Sequence, residues 1–306
     1  MFTNKTTLII PTKDRSGKLI RLLKNIFQLK KKFNEIIVID SSKEKHKKKL
    51  INFIKNRKIK LFHSLPSTTI QRNIGLKKRR KDSKFILFFD DDIIINKKSI
   101  EEMNTAIKRY NSNNHICSFG FNLETDTKNF KFEKFKQSKF LKYLNLYDSA
   151  PGKVLESGWH TKISNLKKDT YVDWIYTGAT IYKSNVIKNK KFKDLNRGFN
   201  YLEDLHFSYY FTKKKMKHLV IAKAKVLNSN IVSRNSFEFG FIEILNRYKF
   251  VDKFLLNKNK FYFSAFARSI FLIINLLDFK FNSIFRFFGN IKGILYCLFI
   301  NINKIK

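Results

Sequence analysis

Strand-like and helix-like segments alternate along the first hundred residues, and this alternation constrains the fold more than any other feature of the sequence. Apolar segments typical of buried strands lie at 7–10, 35–40, 59–62 and 85–89. Segments with helical spacing of apolar residues lie between them, at 19–29, 47–54 and 68–77. Such repeats form parallel sheets with right-handed crossovers. We therefore predict an α/β fold with a Rossmann-like, mostly parallel sheet flanked by helices, whose ligands bind beyond the carboxyl ends of the strands.

The composition changes in the second half of the chain. Residues 124–170 are polar and rich in Lys, with a local helix expected at 135–146. Regular structure is expected again at 171–182 and in a helix at 203–214. From about Phe241 the chain contains 13 of its 33 Phe residues, together with eleven basic and three acidic residues. This change predicts a helical, Phe-rich and basic C-terminal extension.

The formal net charge of +39 over 306 residues is extreme. Such a charge is typical of proteins that bind nucleic acids or anionic membranes. A genome rich in A and T gives the same result, because Lys, Asn, Ile and Phe are all inflated together. The charge by itself therefore leaves both explanations open, although it attracts anionic surfaces in either case.

Cysteine usage and apolar segment length bear on the cellular compartment. Cys117 and Cys297 are the only cysteines and offer neither a disulfide framework nor metal-ligand spacing, which favours a reducing, cytoplasmic location. The N-terminal apolar run is short and stops at Pro11, so we interpret it as a first strand and not as a cleavable signal. We expect no membrane-spanning helix, because we find no stretch with the roughly 20 apolar residues that one requires.

The strongest chemical signal is the acidic triplet Asp90, Asp91 and Asp92, which directly follows the apolar segment 85–89. Three adjacent carboxylates repel one another and resist desolvation. A divalent cation relieves that repulsion, and Mg²⁺ or Mn²⁺ commonly links one or two carboxylates to substrate phosphates. A solvated acidic turn is the alternative, and the position at the end of a core strand favours the metal site.

Two further carboxylate positions add to this signal. Asp40 ends the segment 35–40. Its carboxylate is suited to bind a ribose or a base beside the triplet. The alternative is that Asp40-Ser-Ser simply forms a turn, because Asp and Ser are common turn residues. Glu203 and Asp204 open the helix predicted at 203–214. They either stabilise the helix dipole or supply a general base, and as neighbours on a helix they should point about 100° apart.

Taken together, these segments resemble the family 2 inverting glycosyltransferases, which have a GT-A fold. The resemblance covers roughly residues 5–235 and rests on an ordered set of motifs: Leu8-Ile-Ile-Pro-Thr-Lys-Asp-Arg15, Ile36-Ile-Val-Ile-Asp40, Gln71-Arg-Asn-Ile-Gly75, Ile86-Leu-Phe-Phe-Asp-Asp-Asp92, Trp174-Ile-Tyr-Thr-Gly-Ala-Thr180 and Glu203-Asp204. It implies a nucleotide-diphosphate sugar as donor, Mg²⁺ or Mn²⁺ as cofactor, and transfer to an acceptor hydroxyl with inversion.

The resemblance also implies a role for individual residues. Asp92 and Asp90 would bind the metal as the DXD motif, Asp204 would be the catalytic base with Glu203 beside it, and the Gly178 segment would shape the acceptor side. The residues that would hold the donor are Pro11, Thr12, Asp14, Arg15, Asp40, Arg72, Asp90 and Asp91.

The sequence departs from the family pattern at several positions. Lys13 stands where an aromatic residue often stacks on the base, Ser-Ser follows Asp40, and Asn228 lies near the position of a metal-binding His in many relatives. The absence of a Gln-x-x-Arg-Trp motif after Asp204 argues against a processive polysaccharide synthase.

Two other functions compete with a hexosyltransferase-like enzyme. A GT-A-like nucleotidyltransferase needs a Gly-rich phosphate loop after the first strand, which this chain lacks. A basic, non-enzymatic nucleic-acid-binding protein explains the charge but not the carboxylates at the strand ends, since these repel phosphate when no metal is bound. Nucleic acid is therefore an unexpected partner.

The predicted organisation follows from the resemblance. Residues 1–240 would form the catalytic domain, in which 1–120 bind the nucleotide sugar and 121–240 the acceptor, and 241–306 would form the extension. Apolar runs at 269–277 and 293–300, flanked by basic residues, either pack on the domain or lie on an anionic membrane surface. The second case suits a lipid-linked acceptor, cell-surface polysaccharide or glycolipid synthesis, and a peripheral position at the inner face of the cytoplasmic membrane. A saccharide acceptor fits either case.

Overall fold

A computed structural model of the protein describes residues 1–29, 33–125, 139–195, 200–228, 236–274 and 283–305. The strands are β1 (Thr6–Thr12), β2 (Glu35–Asp40), β3 (Lys60–His63), β4 (Phe85–Phe89), β5 (Ile93–Ile95), β6 (Ile116–Glu124), β7 (Thr170–Val172), β8 (Ala179–Lys183) and β9 (Lys217–Asn228). The α-helices are α1 (Ser16–Gln28), α2 (Glu44–Ile54), α3 (Thr68–Lys78), α4 (Lys97–Tyr110), α5 (Lys139–Tyr143), α6 (Ser184–Ile187), α7 (Glu203–Lys213), α8 (Phe237–Lys253), α9 (Lys258–Ile274) and α10 (Ser283–Ile305).

Within the described residues, all strands belong to one sheet with the order β3-β2-β1-β4-β8-β6-β9-β5, and β7 pairs with β9. The strands β3, β2, β1 and β4 are mutually parallel. Beyond β4 the sheet is mixed, because β8 runs antiparallel to both β4 and β6 while β9 is parallel to β6. The predicted α/β class is confirmed, with its parallel Rossmann-like half confined to the first four strands in sheet order.

The parallel half has the features expected of a sheet covered on both faces. All seven residues of β1 and all six of β2 are buried, as continuous apolar strands in such sheets require. Thr12 pairs with Asp40 and Asp40 with His63, so the carboxyl ends of the three strands lie side by side. The strand predicted at 7–10 is longer in the structure, because it begins at Thr6 and continues through Pro11 to Thr12.

Close packing of α3 on the sheet depends on one glycine. A Cβ atom on Gly75 would lie 2.4 Å from the side chain of Ile9 and 3.1 Å from that of Ile39. Only a residue without a side chain allows α3 to approach β1 and β2 this closely. The helix begins at a conventional cap, since the side chain of Ser67 accepts a hydrogen bond from the Ile70 amide.

The contacts divide the chain into two compact units, one formed by 1–126 with 163–230 and the other by 127–162 with 231–306. The first unit contains the sheet and the helices α1–α4, α6 and α7, and the second contains α5 and α8–α10. The helix expected at 135–146 is present as α5, with 135–138 outside the described residues. The contiguous division at 120 and 240 stays a prediction.

Within the second unit, α8 and α10 pack backbone to backbone. A Cβ atom on Gly289 would lie 2.0 Å from the carbonyl oxygen of Phe237, and one on Gly240 would lie 2.3 Å from that of Arg286. Among the described residues, the segment Ser283–Ile302 of α10 is long and apolar enough to cross a membrane by length and composition. The expectation that no segment reaches this length is wrong, because the helix tolerates scattered polar residues among its apolar ones.

Candidate active site

The centre of the candidate site is Arg72 on α3, whose side chain is 1% exposed. Its Nη1 atom lies 3.0 Å from Oδ1 of Asp204 and 3.1 Å from Oε1 of Glu203. Its Nη2 atom lies 3.1 Å from Oδ1 of Asp90. Burial by itself lowers the pKa of the guanidinium, but Asp204, Asp90 and Glu203 more than offset this effect and the pKa is raised. Arg72 therefore stays charged and lies within ion-pair distance of Asp90 after β4 and of Glu203 and Asp204 at the start of α7.

The position of Arg72 is fixed by the residue before it. Nε2 of Gln71 donates hydrogen bonds to the carbonyl oxygens of Thr12 (2.7 Å) and Ile39 (2.8 Å). These acceptors lie at the carboxyl ends of β1 and β2, so a buried amide attaches the first turn of α3 to the ends of both strands. Gln71 belongs to one of the motifs described above, but nothing in the sequence pattern indicates this role for it.

Glu203 and Asp204 converge, although neighbours at a helix start were expected to point apart. Leu202, the residue before α7, has φ of 73° in the left-handed region, and both carboxylates then reach the same nitrogen of Arg72. Burial, followed by repulsion from Asp204, raises the pKa of Glu203 to about 8. Burial also raises the pKa of Asp204, against the opposing effect of Arg72. Burial therefore favours the neutral form of both side chains, and the charge of Arg72 opposes that effect.

Asp90 is held by the segment before β8. The Tyr176 hydroxyl donates a hydrogen bond to Oδ2 of Asp90, and the Asp90 amide donates to the carbonyl oxygen of Gly178 at 2.9 Å. A Cβ atom on Gly178 would lie 2.3 Å from that same Oδ2 atom. Burial and the adjacent Asp90 carboxylate raise the pKa of Tyr176, which therefore remains a hydrogen-bond donor. Tyr176 lay within a recognised motif, yet its role is visible only in the tertiary structure.

Asp91 and Asp92 lie on the other side of the triplet, against the end of β1. Arg15 forms ion pairs with Oδ1 of Asp91 at 3.0 Å and with Oδ2 of Asp92 at 3.1 Å. The Thr12 hydroxyl donates to Oδ2 of Asp91 at 2.7 Å. Burial raises the pKa of Asp91 to about 7 although Arg15 opposes the shift, and burial and Asp90 raise that of Asp92. A further cation near these two carboxylates would stabilise their charged forms.

A third group of predicted residues lies at the ends of β1 and β2. Asp40 is fully buried, and its Oδ1 accepts a hydrogen bond from the Ser42 amide at 3.0 Å. Asp14 adopts the left-handed region at φ of 54°, and its amide donates to Oγ of Ser42 at 2.6 Å. Nδ1 of His63 lies 3.7 Å from Oδ2 of Asp40. His63 was not predicted, and its position follows from the pairing of β2 with β3.

The donor atoms present fit a hard divalent cation. The described residues contain no cluster of three or more His, Cys, Asp or Glu side chains that could hold a metal. Asp90 and Asp92 offer two carboxylates, and Mg²⁺ characteristically takes one or two carboxylates with substrate phosphates and water as its other ligands. Asn228 is the backbone partner of Ile93, so the end of β9 lies beside the triplet. The site thus supplies part of a coordination shell that a phosphate-bearing ligand would complete.

The fold and the site together define a class of protein. In α/β proteins, ligands bind beyond the carboxyl ends of the parallel strands, which is where Asp40 and the acidic triplet lie. Comparison with solved structures identifies the fold as GT-A, the fold of nucleotide-sugar-dependent transferases. The chain belongs to glycosyl transferase family 2, whose family model matches residues 7–166, just over half of the chain.

Two solved structures illustrate the similarity of the fold. A mannosyltransferase from Pyrobaculum calidifontis, PcManGT in complex with GDP-Man and Mn²⁺, is 10% identical with a TM-score of 0.56, and the match covers 95% of this chain and 87% of that one. GalNAc-T7, solved with UDP, GalNAc and Mn²⁺, is 14% identical with a TM-score of 0.61, over 86% of this chain and 50% of that one. A search of curated proteins finds no significant match.

Proposed function

We propose that this protein transfers a sugar from a nucleotide-diphosphate sugar to an acceptor hydroxyl with inversion at the anomeric carbon. The observation that carries the proposal is the convergence on Arg72 of Asp90, Glu203 and Asp204, in a chain that belongs to glycosyl transferase family 2. Arg72 contacts Asp90, which would help to bind the donor, and also Glu203 and Asp204, which would act as acid–base groups. These side chains therefore lie within one site.

The donor would occupy the carboxyl ends of β1, β2 and β4. Asp40 and the segment Pro11–Arg15 would hold the nucleoside, and Arg15 and Arg72 would supply positive charge near the diphosphate. Mg²⁺ or Mn²⁺ held by Asp92 and Asp90 would neutralise charge on the departing diphosphate. Both solved structures named above contain Mn²⁺ together with a nucleotide or nucleotide sugar, which supports this arrangement.

The proposed reaction is a single displacement. Asp204 accepts the proton of the acceptor hydroxyl, whose oxygen forms a bond to the anomeric carbon from the face opposite the nucleotide. The bond between the anomeric carbon and the diphosphate oxygen breaks, and the nucleoside diphosphate leaves with that electron pair. Glu203, with its pKa raised to about 8, would hold the acceptor or keep Asp204 in place.

We further propose a saccharide or lipid-linked acceptor, a role in cell-surface polysaccharide or glycolipid synthesis, and a cytoplasmic location at the inner face of the membrane. The apolar, basic helices of the second unit support this placement. Family membership argues against a nucleotidyltransferase, and the strand-end carboxylates argue against a nucleic-acid-binding protein without enzymatic activity.

A thermal-shift screen tests the proposal most directly. Nucleotide-diphosphate sugars are added one at a time, with and without Mn²⁺, and the free nucleotides serve as controls. We expect one donor to raise the melting temperature, and more strongly with the metal than without it. NMR of the product formed from that donor then reports the anomeric configuration. Stabilisation by no donor, or a product with retained configuration, would contradict the proposal.

A further inference from the structure

The helix α10 has two opposite stripes of different character. Its buried stripe contains Ser283, Arg286, Gly289, Asn290, Gly293 and Cys297. Its exposed stripe contains Phe285, Phe288, Lys292, Leu295, Phe299 and Ile302. Both sets follow the spacing of one helix face, so the exposed set forms a ridge along more than four turns that is apolar except for Lys292.

The neighbouring helix α9 repeats this pattern on a smaller scale. Phe263, Phe266, Ile270 and Ile273 are 41–55% exposed and follow one another at helical spacing. Together, the ridges on α9 and α10 expose nine large apolar side chains within a single compact unit. Exposed apolar ridges of this kind are characteristic of interaction sites for a membrane or for another protein.

The charges around the ridges favour a membrane over a protein partner. The sequence from residue 258 to the end of the chain has eight basic residues and one acidic residue, Asp278. Four of the described basic residues are paired, Arg268 and Arg286 with Glu243, Lys258 with Asp252 and Lys260 with Glu156. Lys292 lies in the middle of the α10 ridge and is exposed, with its Nζ atom 5.6 Å from the Phe237 ring and 5.8 Å from the Phe241 ring. A lysine at the centre of a protein interface would be desolvated without a partner, whereas at a bilayer surface its long side chain reaches the lipid phosphates.

The buried stripe argues that α10 lies along the membrane and does not cross it. Nη2 of Arg286 lies 2.6 Å from Oε2 of Glu243 on α8, and the Asn290 side chain lies 3.2 Å from Oγ of Ser269 on α9. Although burial alone would raise the pKa of Glu243, Arg286, Arg268 and Arg247 lower it to about 2. A crossing α10 would have to bring this ionised network into the hydrocarbon layer, which is costly.

We propose that the exposed ridges of α9 and α10 form a docking surface for an anionic lipid bilayer, into which α10 inserts parallel to the membrane plane. The aromatic and aliphatic side chains would enter the boundary between headgroups and acyl chains, and Lys292 would contact lipid phosphates. This inference deepens the membrane placement proposed above and does not depend on the transfer reaction. Its test uses neither donor nor acceptor, so its failure would leave the transferase proposal standing.

Flotation with phosphatidylcholine vesicles, with and without phosphatidylglycerol, tests the surface on the full chain. The variant Phe288→Gln, Leu295→Gln, Phe299→Gln removes the centre of the ridge. Its matched control is Phe27→Gln, Ile51→Gln, Leu65→Gln, which replaces exposed apolar residues of the first unit. We expect the ridge variant to lose about tenfold or more in vesicle affinity and the control to bind like the wild type.

Two further measurements complete the test. Lys292→Gln should weaken binding to the anionic vesicles by about fivefold and leave binding to neutral vesicles unchanged. Bound wild-type protein should transfer to an excess of fresh vesicles, as a surface-bound protein does. Absence of wild-type binding, equal binding by the ridge variant, retention in the original vesicles, or a dimer in solution that only the ridge variant dissociates would each overturn the proposal.

Discussion

Nη1 of Arg72 lies 3.0 Å from Oδ1 of Asp204 and 3.1 Å from Oε1 of Glu203, residues more than 130 positions away in sequence. The same guanidinium reaches Asp90 through Nη2, so one buried cation contacts three acidic side chains. Removal of that cation would leave the carboxylates to repel one another in a buried environment. The stability of the first unit and the geometry of the site are therefore linked through one side chain.

Arg72→Met should destabilise the protein by about 3–5 kcal/mol, because it leaves buried carboxylates without a counter-charge. Urea unfolding at neutral pH measures this loss. The triple variant that adds Glu203→Gln and Asp204→Asn removes most of the repulsion and should recover part of the stability. A loss below about 1 kcal/mol for Arg72→Met would show that water already screens these carboxylates.

Asp204→Asn should reduce turnover by about 10²–10⁴-fold and leave donor affinity nearly unchanged, because the amide keeps the shape of the side chain but cannot accept the acceptor proton. Single-turnover rates and donor titration, measured on the same preparation, separate the two effects. Glu203→Gln should reduce turnover less. Normal turnover by Asp204→Asn with an inactive Glu203→Gln would reverse the assignment, and full activity in both variants would place the base elsewhere.

Asp92→Ala should weaken donor binding in the presence of Mn²⁺ by about tenfold or more while the protein stays folded, since it removes one of the two carboxylates proposed to hold the metal. Isothermal titration calorimetry measures the affinity. Asp82→Ala serves as the control, because Asp82 is exposed and pairs with Arg80 outside the site. An excess of chelator should abolish activity, and full activity in chelator would exclude a metal role.

Gly178→Ala should strongly reduce activity, because the new Cβ atom would lie 2.3 Å from Oδ2 of Asp90 and displace either that carboxylate or Tyr176. The matched control is Gly17→Ala on α1, where a Cβ atom meets nothing within 4 Å apart from the adjacent residues and the backbone of its own helix. That control should keep full activity and gain about 0.5–1 kcal/mol from its higher helix propensity. Steady-state rates and melting temperatures of both variants are the measurements, and equal activity would mean that Asp90 can be displaced without consequence.

Stability should fall on acidification because of His218, which is fully buried. Its Nδ1 lies 2.7 Å from Oγ of Ser118, and its Nε2 lies 3.0 Å from the Ser208 carbonyl oxygen, which accepts a hydrogen bond from the Nε2 hydrogen. Burial lowers the pKa of His218 from 6.5 to about 4. Burial also raises the pKa of adjacent Cys117 to about 12 and raises that of Tyr182, so both neighbours stay neutral.

The sign follows from proton binding. Between pH 6.5 and about pH 4, the unfolded chain binds a proton at this position that the folded protein does not bind. The contribution of His218 to stability is therefore intact above pH 6.5 and falls by about 3 kcal/mol as the pH approaches 4. Urea unfolding of the wild type and His218→Gln at pH 7.5 and pH 5 measures it. The difference in stability between the two proteins should shrink at the lower pH, and a constant difference would contradict the assigned pKa.

The sequence predicted the parallel half of the sheet correctly because its signals are local. Continuous apolar segments mark β1, β2 and β4, and helical spacing marks α1 and α3. The carboxylates of Asp40 and Asp90 could be placed at strand ends for the same reason, because the end of an apolar run can be read from the sequence alone.

The mixed half of the sheet and the contacts of the site were decided by the tertiary structure. Nothing local to β8 shows that it runs antiparallel to β4, yet that pairing brings Tyr176 and Gly178 onto Asp90. The convergence of Glu203 and Asp204 on Arg72 depends equally on long-range packing. The local pattern of apolar residues indicates where strands end, and the residue types determine which positions carry charge. Contacts between distant segments decide which of these charges meet, as in the pairing of Arg72 with Glu203 and Asp204 and of Arg15 with Asp91 and Asp92.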